Sequence, residues 1–161
     1  VLHSPLPDWD ELKQVWEALE STVDKGEVRQ IGISNCYDLG LLVQLYKTAQ
    51  IKPAILQNRF YRKTGYDFQL RRFCRDKDIL YQSFWTLSAN SDILRDPILG
   101  NLADALNKTP EQIFFRFLTQ HRVIPLIGTT STTHMKEDLE IFEFELSKSD
   151  CEKINQLGPF Y

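Results

Sequence analysis

Five short polar sets follow five apolar runs along the chain. His3-Ser4 follows Val1-Leu2, Ser34-Asn35 follows the run 28–33, and Gln57-Asn58 follows Ala54-Ile55-Leu56. Ser83-Phe84-Trp85 follows Ile79-Leu80-Tyr81, and Gly128-Thr129 follows the run 123–127. Amide and hydroxyl groups can hold a carboxamide or a sugar through paired donors and acceptors, while an aromatic ring can stack on another flat ring. For any one set the plainer alternative is a satisfied turn or a helix cap, and a single Ser-Asn pair decides nothing. Recurrence after every apolar run argues instead for one ligand-binding face, because parallel α/β sheets bind ligands beyond the carboxyl ends of their strands.

Helices must separate those runs. Asp8, with Glu11 three residues on, makes a capping-box-like start in which Asp replaces Ser or Thr. Leu12, Val15, Trp16, Leu19 and Val23 then recur at helical spacing until Lys25 and Gly26. The spacing predicts further helices through Leu41, Leu42, Leu45, Tyr46 and Ala49, over 68–77 and over 98–106. Thr109, Pro110 and Gln112 form a full helix start, and two more helices are expected over 134–141 and, behind a Ser147 cap, over 148–157. Residues 59–66 and 88–97 read as loops. Strand and helix thus alternate about five times, counting a partial strand at Val1, which predicts a parallel sheet covered by helices. Strands apolar on consecutive residues suit a sheet buried on both faces. An open doubly wound sheet and a portion of an eight-stranded barrel both satisfy the pattern. Five units cannot close a whole barrel, which needs at least about 200 residues. No G-x-G-x-x-G turn follows any run, which lowers the dinucleotide-binding open sheet.

Composition narrows the partners. With 161 residues, 42% hydrophobic, the chain can bury a core and is expected to form one domain over 1–161. Lys and Arg number 19 against 22 Asp and Glu, so no basic stripe exists for nucleic acid. No apolar run reaches the roughly 18 residues that span a bilayer, and no signal-peptide pattern opens the chain, so no membrane partner and a cytoplasmic location are expected. Cys36, Cys74 and Cys151 form no C-x-x-C pair, and His3, His121 and His134 lack metal-ligand spacing, so no metal site is expected. Val1-Leu2 reads as the tail of a strand already under way.

Taken in order, Leu-His-Ser-Pro, Gly-Glu-Val-Arg-Gln-Ile-Gly-Ile-Ser-Asn, Gln-Asn, Tyr-Gln-Ser-Phe-Trp-Thr-Leu and Ile-Pro-Leu-Ile-Gly-Thr-Thr-Ser resemble the aldo-keto reductases from the fourth barrel strand onward. The resemblance implies an α/β fold, a partial (β/α)8 TIM-type barrel of about five parallel strands. It also implies a nicotinamide cofactor bound without a Rossmann motif. By that resemblance His3 is the catalytic-site histidine that orients the substrate carbonyl. Ser34, Asn35 and Gln57 hold the nicotinamide carboxamide, Phe84 occupies the nicotinamide-stacking position, and Leu87 lies near the pyrophosphate. The loop with Gly128, Thr129, Ser131 and Thr132 receives the adenosine phosphate end at a helix start. His134 stands where many members carry an Arg, Gly128 at or near a common Lys, and Asp138 where an adenine-contacting Asn is usual. The cofactor is therefore NADP or NAD, with the preference open. Trp85 and Tyr61 are candidates for the substrate pocket.

The family's tetrad is Asp, Tyr, Lys and His, and only His3 has a matching position here. The implied function is the C-terminal portion of an NAD(P)H-dependent reductase of aldehydes or ketones, inactive alone. The alternatives are a non-catalytic barrel remnant that binds cofactor or assembles through open sheet edges, and an unrelated open α/β enzyme.

Overall fold

Gly32 shows what the first strand demands of its sequence. In the computed structural model, which describes residues 1–160, β1 (Gly32–Ser34) pairs in parallel with β2 (Ile55–Arg59). The register is Gly32↔Ile55, Ile33↔Leu56 and Ser34↔Gln57. A Cβ on Gly32 would meet the Ile55 carbonyl oxygen at 2.5 Å and the Ile55 Cβ at 2.7 Å, so only glycine lets the backbones approach this closely. β1 is shorter than the run 28–33 predicts and ends one residue later. Val28 is 40% exposed and donates its N–H to the Thr22 carbonyl, in the turn after the first helix.

With β3 (Leu80–Phe84) and β4 (Val123–Pro125), these strands form a parallel four-stranded sheet of order β1-β2-β3-β4. The expected partial strand at Val1 is reduced to one parallel bridge, Leu2↔Ile33. The polar sets also sit differently from expectation: Ser34, Gln57, Asn58 and Ser83 lie inside strands, not beyond them. Polar side chains end a hydrophobic pattern without ending the backbone ladder that continues through them.

Two compact units divide the chain: Val1–Arg59 with Gln69–Gln82, and Phe60–Phe68 with the chain from Ser83 onward. In the first, α1 (Trp9–Asp24) begins where the Asp8 carboxylate accepts the Glu11 N–H at 3.0 Å. It buries Leu12, Trp16 and Glu20. Trp16 Nε1 donates to the Ile51 carbonyl at 3.1 Å, and Glu20 Oε1 accepts the Ile51 N–H at 2.9 Å, which pins the chain ahead of β2. α2 (Leu39–Thr48) is capped by Asp38, so Ser34 and Asn35 are not its caps. α3 (Phe68–Asp76) follows the predicted span closely, and its Phe73 packs edge-on against Tyr46 at 5.7 Å.

The second unit is built on aromatics. Phe160 lies 4.6 Å from Tyr66, 5.3 Å from Phe117 and 6.0 Å from Phe60 between ring centroids. All four rings are buried. The stretch expected as a loop over 88–97 contains the short α4 (Ser91–Leu94), and α5 (Pro97–Leu106) starts behind an Asp96 cap. α6 (Pro110–Gln120) has the full capping box read from Thr109 and Gln112. α7 (Thr132–Leu139) begins two residues earlier than predicted because Ser131 Oγ accepts the His134 N–H. α8 (Lys148–Asn155) is capped by Ser147 as expected.

Candidate functional site

Parallel pairing brings four of the sequence-predicted residues together at the strand ends of the first unit. Leu2 bridges to Ile33, so His3 follows directly beside the Ser34 rung. Ser34 Oγ donates to the Gln57 carbonyl at 2.6 Å, and Asn35 Nδ2 donates to the His3 carbonyl at 2.8 Å. Gln57 Nε2 donates to Gln82 Oε1 at 2.8 Å, which adds a residue that sequence reasoning did not single out. Ser34 is buried, Gln57 and Asn35 are half-buried, and His3 is exposed. Asn35 adopts φ 52, a left-handed conformation that Asn tolerates because its short amide bonds locally.

Gln57 and Asn58 are adjacent but serve opposite faces, as the two-residue period of a strand requires. Asn58 is fully buried: its Oδ1 accepts the Cys36 N–H at 3.0 Å and its Nδ2 donates to the Cys36 carbonyl at 2.8 Å. It is a clamp on the turn after β1, not a ligand group.

The second unit holds a cavity of about 820 Å³. Phe84, Trp85 and Leu87 wall it from the end of β3, and Gly128, Thr129, His134 and Asp138 from the loop and helix after β4. Ser131 and Thr132 serve instead as cap and first residue of α7, and Tyr61 is not among the lining residues. Leu126 and Ile127, expected in a strand, lie past β4, and both line the cavity. Pro125 lacks an N–H to extend the ladder, although the Leu126 N–H still reaches the Ser83 carbonyl at 2.7 Å.

Trp85 has φ 55, a conformation unusual for a bulky residue, and is 58% exposed. The turn that holds it is tied by Ser83 Oγ and Thr86 Oγ1 at 2.9 Å, both buried, and by the Ala89 N–H on the Trp85 carbonyl at 2.9 Å. Strain kept by buried hydrogen bonds beside a cavity marks a candidate functional position.

Sequence reasoning missed Ser88, Glu111, Gln112 and Glu137 as cavity residues. Gln112 was legible as a cap, and its Nε2 also donates to the Glu137 carbonyl at 2.9 Å, which joins the start of α6 to α7. The cavity's ionisable side chains are Glu111, Glu137, Asp138 and His134. Burial raises the Asp138 carboxyl from its ordinary value; His134 opposes the rise and Glu137 adds to it.

Among curated proteins the chain is similar to a glyoxal reductase of Bacillus subtilis, 32% identical over 152 residues, 94% of this chain and 54% of that protein. It is also similar to an NADP-dependent D-sorbitol-6-phosphate dehydrogenase of Malus domestica, 33% identical over 159 residues, 93% of this chain and 51% of that protein. The chain therefore spans about half the length of the curated relatives it matches. A crystal structure of an aldo/keto reductase from Brucella melitensis superposes with a TM-score of 0.85 at 27% identity, covering 96% of this chain and 58% of that one. An aldo-keto reductase from a deep-sea metagenome shares the fold at a TM-score of 0.85 and 19% identity, covering all of this chain and 60% of its own. The fold class is accordingly that of part of a (β/α)8 barrel. The sequence model of the aldo/keto reductase family matches residues 1–91, more than half of the 161, and the chain belongs to that family.

Proposed function

We propose that these residues supply strands and cofactor grip to an NAD(P)H-dependent aldo-keto reductase, an oxidoreductase acting on an aldehyde or ketone. The observation that carries the reading is the hydrogen-bonded group formed by His3, Ser34, Asn35 and Gln57 at the strand ends, in a chain of this family. The donor set suits a carboxamide, which needs one acceptor and one donor. Gln57 commits its Nε2 to Gln82 and keeps Oε1 for an amide N–H, while Ser34 and Asn35 are fixed in place by backbone carbonyls.

The cavity of the second unit suits the adenosine and phosphate end. α7 begins at its wall, where backbone N–H groups favour an anion, and Phe84, by resemblance the nicotinamide-stacking ring, lines the same cavity. A reduced nicotinamide, when bound, supplies the hydride. His3 orients the substrate carbonyl, and by resemblance none of the 161 residues matches the tetrad's proton donor.

Tryptophan quenching and calorimetric titration with NADH and NADPH test this reading. Saturable binding of at least one is expected, and no binding of either up to about 1 mM overturns it. Carbonyl-dependent oxidation of either cofactor by the 161-residue chain alone is expected to be absent; turnover there would refute the assignment of the proton donor.

A further inference from the structure

We propose that the cavity of the second unit selects a dinucleotide with a free ribose 2′-hydroxyl, NAD(H), over the 2′-phosphorylated form. The inference rests on the cofactor reading above and adds which cofactor this chain takes. Three carboxylates line the cavity: Glu111 in the first turn of α6, and Glu137 and Asp138 on α7. Among the described residues, no Lys or Arg lines it, and His134 is the one basic side chain in its wall.

Helix geometry explains why the neighbouring lysines do not compensate. His134, Glu137 and Asp138 stand at positions i, i+3 and i+4, which share one face of a helix, and Lys136 falls off that face. Lys108 is engaged by Glu140 at 3.5 Å. A 2′-phosphate brings roughly 1.5 to 2 negative charges into this wall. The start of α7 offsets only about half an elementary charge, so the carboxylates set the sign. A hydroxyl in the same place is welcome, because carboxylates accept strong hydrogen bonds from it. Acidic side chains select the free ribose hydroxyl by this chemistry in other dinucleotide sites, where a cation is needed for the phosphate.

Space is not what excludes the phosphate. The cavity is about 820 Å³, and a Cβ built on Gly128 meets nothing within 4 Å. Selectivity of electrostatic origin has two signatures: it weakens with salt, and a cation placed in the wall reverses it.

Calorimetric titration of the full chain with NADH and NADPH, at low and high ionic strength, is the test. NADH is expected to bind at least about tenfold more tightly at low salt, with the ratio narrowing at high salt. Gly128→Lys and, separately, Asp138→Asn should each narrow the ratio at least about threefold through tighter NADPH binding, with circular dichroism unchanged. NADPH binding as tightly as NADH overturns the inference alone, as does an unchanged ratio in both folded variants. Binding of neither dinucleotide overturns the cofactor reading as well.

Discussion

The strand-end group of the first unit and the cavity of the second carry polar residues in opposite ways. Ser34 is already tied to the Gln57 carbonyl at 2.6 Å, Asn35 to the His3 carbonyl at 2.8 Å and Gln57 to the Gln82 amide at 2.8 Å, so their geometry exists before any ligand arrives. The cavity wall is made by the turn after β3, the loop after β4 and faces of α6 and α7. Gly128 and His134 are exposed there, and few of the polar side chains in the loop are fixed beyond the α7 cap and the Thr129 Oγ1 that accepts the Ser131 N–H at 3.1 Å. Shape and orientation are fixed in the first region, while the sum of charges decides in the second. A preorganised amide group loses affinity when a bond is misplaced; a charged wall shifts affinity when a charge is changed.

Removing the clamp beneath the strand-end group breaks that contrast most severely. Asn58→Ala leaves the buried Cys36 N–H and carbonyl without their amide partner and should cost about 2–4 kcal/mol, read as a lowered midpoint in urea. In the second unit, the largest effect should come from Gln112→Ala, which removes the capping box and the bond to the Glu137 carbonyl. About 1–2 kcal/mol is expected by the same measurement. If Gln112→Ala proves as costly as Asn58→Ala, the cavity wall is no more adaptable than the strand ends.

The smallest effect is one of pH. Because burial raises the Asp138 carboxyl, its contribution favours the folded state at acid pH and is lost as pH rises through its raised value. Asp138→Asn should therefore match the parent below the ordinary carboxylate range and be more stable above it, in denaturation midpoints taken from about pH 3 to about pH 8. A gap of the opposite sign would mean that the carboxylate is stabilised by His134 more than it is penalised by burial.

What the sequence made legible follows from how far each interaction reaches. The Thr109 box, the Ser147 cap and the stop at Gly26 depend on residues within four positions, and all three appear where the pattern puts them. The strand-end alignment was legible because parallel strands place their carboxyl ends on one side. Strand limits were not: polarity marked Ser34 and Gln57 as the end of a strand, whereas the ladder runs through them. Period-two alternation could have separated Gln57 from Asn58, and the same rule puts Gln82 on the Gln57 side of β3. Glu111 and Glu137 left no local signal. Each looks like an ordinary exposed helix carboxylate until the packing of α6 and α7 turns it toward the cavity.

Phe160 adds a constraint in time. It meets Phe60, Tyr66, Phe114 and Phe117, so the aromatic core of the second unit is assembled from both ends of a hundred-residue span. During synthesis Phe60 leaves the ribosome long before the ring that completes its surroundings. At about 5–20 residues per second, that interval exposes apolar surface for several seconds at least. Phe160 thus governs how long the nascent aromatic core needs protection, quite apart from anything the mature molecule binds.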